Sequence, residues 1–108
     1  MDQRQIEKPI KKFLSSIPKH VKVEKVVLFG SFSKNKATTA SDIDVFIVSN
    51  SFIKWDEDKR LDMLYKASRF IEPEIHPWGI TLDEWQSANE FSLIGQARKK
   101  GKSINYDP

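Results

Sequence analysis

The chain contains no cysteine. That excludes a disulfide framework, a thiolate metal site and a cysteine nucleophile. Its two histidines are too few to build a structural zinc site. No apolar run approaches the roughly 20 residues that span a bilayer. The first residues, MDQRQIEKPIKKF, carry charge where a signal peptide needs an apolar stretch. No internal repeat or low-complexity segment is visible, which excludes solenoid and linker architectures. A soluble cytoplasmic domain is the expectation that remains.

What is present is a globular composition, 39% hydrophobic and 31% charged over 108 residues, and not a disordered one. That length fits a single domain over residues 1–108, with no room for two independent cores. The formal net charge is +3, and it is unevenly spread. Residues 1–25 hold seven basic and three acidic side chains, whereas residues 56–85 hold four and eight. The ends are basic and the middle is acidic. Scattered lysines of this kind usually form a solvated surface rather than a nucleic-acid footprint.

Hydrophobic periodicity outlines the elements. Ile6, Ile10, Phe13, Leu14 and Ile17 recur at helical spacing, so a first helix is expected to start or kink at Pro9 and to close at Pro18. Val21 to Phe29 reads as a strand ending at Gly30. Asp42 to Val48 reads as a second strand, with Ile43, Val45 and Ile47 on one face and Asp42, Asp44, Phe46 and Val48 on the other. Residues 49–55 read as a loop. Asp56 opens a second helix whose acidic first turn suits the helix dipole. Its expected buried stripe is Leu61, Leu64, Tyr65, Ser68 and Ile71, with Pro73 ending it. Residues 74–80 form a short third strand, weakened by Pro77 and Gly79. Thr81-Leu82-Asp83-Glu84 matches a capping box before a short helix. A last helix from about Glu90 to Lys100 carries Phe91, Ile94 and Ala97, and Gly101 stops it. Residues 102–106 add an edge strand. The order predicts an α/β or α+β domain, a small sheet with helices packed on it.

The chemistry concentrates in Leu28 to Ser49, LFGSFSKNKATTASDIDVFIVS. Asp42 and Asp44 share one strand face, their Cβ atoms roughly 6–7 Å apart. Two like charges held that close repel, and a hard divalent cation between them removes the penalty. Mg²⁺ is typically held by one or two carboxylates plus substrate phosphates. Gly30 lets the backbone approach a phosphate closely, and Ser31 with the adjacent N–H groups can donate to its oxygens. Each signal alone is ordinary. An Asp-x-Asp pair is often a turn cap followed by a solvated strand residue, and a Gly-Ser is mostly a strand-ending turn.

Together they are specific. Gly30-Ser31, a polar segment, then Asp42-x-Asp44 opening the next strand resembles the nucleotidyltransferase superfamily that includes DNA polymerase beta. Over nearly the whole chain the resemblance is to its minimal, MntA-like members, and includes the ending Lys100-Gly101-Lys102-Ser103-Ile104-Asn105-Tyr106. The resemblance implies a polymerase beta palm-like fold. It also implies a nucleotide site at Gly30, Ser31, Lys34 and Ser41. Asp42, Asp44 and a third carboxylate would hold two Mg²⁺ ions and activate an acceptor hydroxyl. Glu74 is the chosen third carboxylate, since it begins the third strand in Glu74-Ile75-His76-Pro77, whereas Glu72 precedes Pro73 at a helix end. The family more often has Asp there. Lys34 stands where many minimal members have Arg, which replaces a bidentate fork by a point charge.

His76 falls on Glu74's face by period two, where it could contact substrate, orient Glu74 or serve structure alone. His20 reads as surface. Trp55, Trp78 and Trp85 read as core or core rim, with a partner surface as the alternative.

By the same resemblance, the implied reaction transfers a nucleoside monophosphate, AMP from ATP, to an acceptor. Minimal members are commonly paired with a helical HEPN protein as antitoxin to toxin, and the length leaves room only for the catalytic half. Two rivals remain open. One is a non-catalytic interaction module that neutralises a partner by binding. The other is an RNA-modifying or RNA-binding protein using Arg98, Lys99, Lys100 and Lys102 on phosphates, although cations at a helix C-terminus are also favoured by the dipole.

Overall fold

The computed structural model describes residues 3–30 and 43–104, with side chains described from Ile6 onward. The elements are α1 (Gln3–Ser15), β1 (Lys25–Phe29), β2 (Ile43–Val48), a 3₁₀ turn (Asn50–Phe52), α2 (Glu57–Ser68), β3 (Ile75–Ile80), α3 (Leu82–Ser87), α4 (Leu93–Lys100) and β4 (Lys102–Ile104). They form a four-stranded sheet in the order β3-β2-β1-β4. β1 runs antiparallel to β2 and β4, and β2 runs parallel to β3. The expected small mixed sheet with packed helices is therefore present.

Strand alternation divides the core between the two faces of this sheet. Val26 and Leu28 of β1, Ile43, Val45 and Ile47 of β2, and Ile75 of β3 pack with Ile6, Ile10, Phe13 and Leu14 of α1 and Leu64 and Ala67 of α2. Val27, Phe46, Val48 and Ile80 point the other way and pack with Trp85 of α3 and Ala97 of α4. β2 is buried on both faces except at Asp44, as a central strand flanked by two neighbours must be.

Several expectations need correction. α1 runs through Pro9 without starting there. Its apolar stripe, buried from Ile6 to Ile17, outweighs the one backbone hydrogen bond that proline cannot make. β1 begins at Lys25 rather than Val21. Val21 is nevertheless core, and the Glu24 N–H donates to the Val48 carbonyl at 2.8 Å. Leu61 and Tyr65 are exposed, not buried, because α2 turns Arg60, Leu64, Ala67 and Ser68 inward. The helix ends at Ser68, well before Pro73. α4 begins at Leu93 with Ser92 as its N-cap, leaving Phe91 outside and exposed.

Arg60 is the reason α2 is rotated this way. Its guanidinium is buried and donates to four acceptors. Nε reaches the Trp55 carbonyl at 3.0 Å. One terminal nitrogen reaches the Phe52 carbonyl at 2.8 Å, and the other reaches the Gly79 carbonyl at 3.3 Å and Glu84 Oε1 at 2.7 Å. It thereby ties the 3₁₀ turn, β3 and α3 to α2. Gly79 permits the approach, since a Cβ there would lie 3.0 Å from Leu64 Cδ1 and 3.1 Å from the Phe52 ring. Glu84 also closes the expected capping box, accepting from the Thr81 N–H and donating its own N–H to Thr81 Oγ1.

Burial raises the Glu84 carboxyl, but the hydrogen bonds from Thr81 and Arg60 outweigh it and hold the group below its ordinary value. Its contribution to stability is therefore present above the unfolded pKa, roughly 4.3, and is lost as pH falls through the lower folded value. Thermal melts of Glu84→Gln should accordingly lie below wild type at pH 7, with the gap closing as the pH drops below about 4. Arg60→Ala strands the carbonyls that the guanidinium serves and should cost about 2–4 kcal/mol in urea denaturation at neutral pH.

Candidate active site

The sequence-predicted site residues divide into two groups. Ser31, Lys34, Ser41 and Asp42 lie outside the described residues. Gly30, Asp44, Glu74 and His76 are described, and the sheet brings them together.

Register does this work. Phe29 pairs with Asp44 across the β1–β2 ladder, and Asp44 pairs with His76 across the β2–β3 ladder. Gly30 leaves β1 with φ +75°, a left-handed conformation that glycine adopts without strain. A Cβ at this position would lie 2.9 Å from Asp44 Oδ2. The absent side chain thus lets the carboxylate sit against the backbone at the end of β1. On the other side, His76 Nδ1 is 3.7 Å from Asp44 Oδ1, and His76 Nε2 is 3.7 Å from Glu74 Oε1. The imidazole stands between the two carboxylates. The Ile43 N–H donates to the Glu74 carbonyl at 2.8 Å, which holds the start of β3 beside the start of β2. Solvent access increases across the row, from 33% for the Asp44 side chain to 47% for His76 and 71% for Glu74.

The donor chemistry suits a hard cation. Asp44 and Glu74 offer carboxylate oxygens on either side of His76, the ligand type that Mg²⁺ prefers. Among the described residues there is no group of three or more His, Asp or Glu placed to hold a metal ion. The second carboxylate of the Asp-x-Asp pair falls outside them.

Beside Asp44 lies an aromatic shelf that sequence reading did not identify, with Phe29 in Asp44's own row and Phe46 and Trp78 in the next. The Phe29 and Phe46 rings stack at 4.6 Å, and the Trp78 indole meets Phe46 at 5.8 Å and Phe29 at 6.3 Å. Period two already placed Phe46 on Asp44's face, whereas Trp78 was read only as core or core rim. What was missing was the β2–β3 register that sets the two strands side by side. The three tryptophans separate accordingly: Trp85 is core, Trp55 is partly buried, and Trp78 is 44% exposed.

The basic C-terminal cluster is smaller than its sequence suggests. Arg98 donates to the carbonyls of Trp85, Gln86 and Ala88, so its guanidinium closes the end of α3.

Comparisons with known proteins give the family and the fold. Residues 8–103 match the family profile of the nucleotidyltransferase domain, and the chain belongs to that family. A crystal structure of a "putative nucleotidyltransferase" from Sulfolobus solfataricus is similar in fold, with a TM-score of 0.59 at 21% sequence identity. The alignment covers 93% of this chain and 76% of that one. No curated protein sequence matches. The described residues contain no helix long and apolar enough to cross a membrane.

Gly30→Ala should destabilise the fold by about 1–3 kcal/mol, since the new Cβ carries both backbone strain and a clash with Asp44. The same substitution in an Asp44→Ala background should cost less, and chemical denaturation of the four proteins measures that difference.

Proposed function

We propose that this chain is a Mg²⁺-dependent transferase that moves a nucleoside monophosphate, AMP from ATP, to an acceptor hydroxyl. The observation that carries the reading is the placement of Asp44 against the side-chain-free Gly30, with His76 and Glu74 beside it on the same sheet face. Membership of the nucleotidyltransferase family supports the reaction class.

In this reading the backbone at Gly30, with Ser31, Lys34 and Ser41, holds the triphosphate. Asp42 and Asp44 hold Mg²⁺, and Glu74 serves as the third carboxylate toward the acceptor. Mg²⁺ held by these carboxylates would offset the charge that develops as the acceptor oxygen bonds to the α-phosphorus and pyrophosphate departs with the broken α–β bond. The protein's own part is positional. β2 presents Asp44 from a strand buried on both sides, so its carboxylate needs little reordering when substrate arrives. Glu74 immediately precedes β3, which begins at Ile75 rather than at Glu74 as the sequence suggests, and its exposed side chain lies where an acceptor can approach from solvent.

The acceptor in this reading is a helical HEPN-type protein, with the chain acting as antitoxin. This finer statement rests on the resemblance to minimal nucleotidyltransferases. A nucleic-acid acceptor is less favoured, because Arg98 is engaged within the fold and residues 56–85, which include β3, hold twice as many acidic as basic side chains.

The test uses α-labelled ATP, Mg²⁺ and a lysate of the source organism, with wild type and Asp44→Asn compared on a denaturing gel. A labelled protein band with wild type, falling to background with the variant, is expected. A nuclease-sensitive band would replace the protein acceptor by RNA. No transfer with any of the four nucleoside triphosphates would overturn the enzyme reading in favour of a module that acts by binding alone.

A further inference from the structure

The sheet face under α3 and α4 reaches solvent at the end that carries Asp44, His76 and Trp78, and that end is banded. His76 and Asp44 form a polar row at one end of β2 and β3. Trp78 and Phe46, paired two residues further along the same strands, form an apolar row roughly 6.6 Å away. Trp78 belongs to β3, which is an edge strand, and its indole remains 44% exposed. It meets the Phe46 ring at 5.8 Å and 49° and the Phe29 ring at 6.3 Å and 66°, contacts that anchor it beside the Asp44 row. Its neighbours along the chain, Pro77 and Gly79, face away from it toward α2, where Gly79 meets Leu64 and Phe52.

A nucleotide has the same construction as this face. Its phosphates are anionic and metal-binding, and its base is flat and apolar on both sides, with one sugar between them. We propose that Trp78 is the stacking platform for the base of the nucleoside triphosphate bound at Asp44, and so a residue that contributes to nucleotide affinity. The proposal rests on the transferase reading above and deepens it. Stacking selects for a π face rather than for one base's hydrogen-bonding edge, since every base has such a face. The shelf therefore favours nucleotides over bare polyphosphate and discriminates weakly among the four bases.

The test is titration calorimetry with Mg²⁺ present, using ATP, GTP, CTP, UTP and inorganic tripolyphosphate as ligands. Wild type should bind the nucleotides more tightly than tripolyphosphate. Trp78→Ala should weaken the nucleotides about tenfold or more and leave tripolyphosphate unchanged. Trp78→Phe, which keeps a π face, should retain most of the nucleotide affinity, and Trp78→Leu, which keeps only apolar cover, should not. The Phe and Leu pair decides the matter should the alanine variant fail to fold. Unchanged nucleotide binding in the Ala and Leu variants overturns the proposal and leaves the transferase reading intact. An equal loss for tripolyphosphate assigns Trp78 a purely structural part and also overturns it. Wild type that binds neither nucleotide nor tripolyphosphate overturns the transferase reading, and this proposal with it.

Discussion

The structure depends on β2 being buried on both faces. A strand in that position must be apolar along nearly its whole length, and Ile43, Val45, Phe46, Ile47 and Val48 meet the requirement. The one polar side chain within it, Asp44, can survive only near an end where solvent reaches it. Register then has little freedom. A slip of one residue would turn Asp44 into the α1–α2 core and bring Ile47 out of it. The same hydrophobic constraint that stabilises the sheet therefore aims the carboxylate at the open face, between Gly30 and His76.

A second constraint acts at the opposite end of the sheet. The Arg60 guanidinium gathers carbonyls from three different segments and one carboxylate. A buried guanidinium is tolerated because nearly all of its hydrogen-bonding capacity is used. By holding α3 against β3, Arg60 keeps Trp85 packed on Phe46, and Phe46 in turn backs Trp78. The clamp and the Asp44–Trp78 end of the sheet are thus linked through the core of the second sheet face.

Legibility in the sequence followed the length scale of the interaction. The capping box at Thr81–Glu84, the stop at Gly101 and the faces of β2 all involve residues within a few positions of one another, and all are as the sequence reads. Of the stripe expected on α2, Leu64, Ser68 and Ile71 are buried and Leu61 and Tyr65 are exposed, because periodicity alone does not choose between the Leu61/Tyr65 and Leu64/Ala67 sides. Only the tertiary demand of Arg60 chooses between them. The role of Arg98 is open in the sequence for a similar reason: a basic residue at a helix C-terminus suits solvent, phosphate or a neighbouring carbonyl equally well until α3 is in place. The Gly30-to-Asp44 spacing pointed to the family, and residues 8–103 match its profile. The partnership of Asp44 with His76 needed a parallel pairing between strands some thirty residues apart.

The sequence by itself determined the class of fold, the identity of the central strand and the residue types available for phosphate and metal chemistry. These follow from alternation, capping and composition, which are local properties of the chain. Only the tertiary structure decided which groups share the site: that Gly30 lies against Asp44, that His76 stands between two carboxylates, and that Trp78 extends an aromatic row beside them. The reason is that strand pairing is a non-local choice. It is set by which arrangement buries the most apolar surface while satisfying every backbone hydrogen bond, and no window of sequence contains both partners.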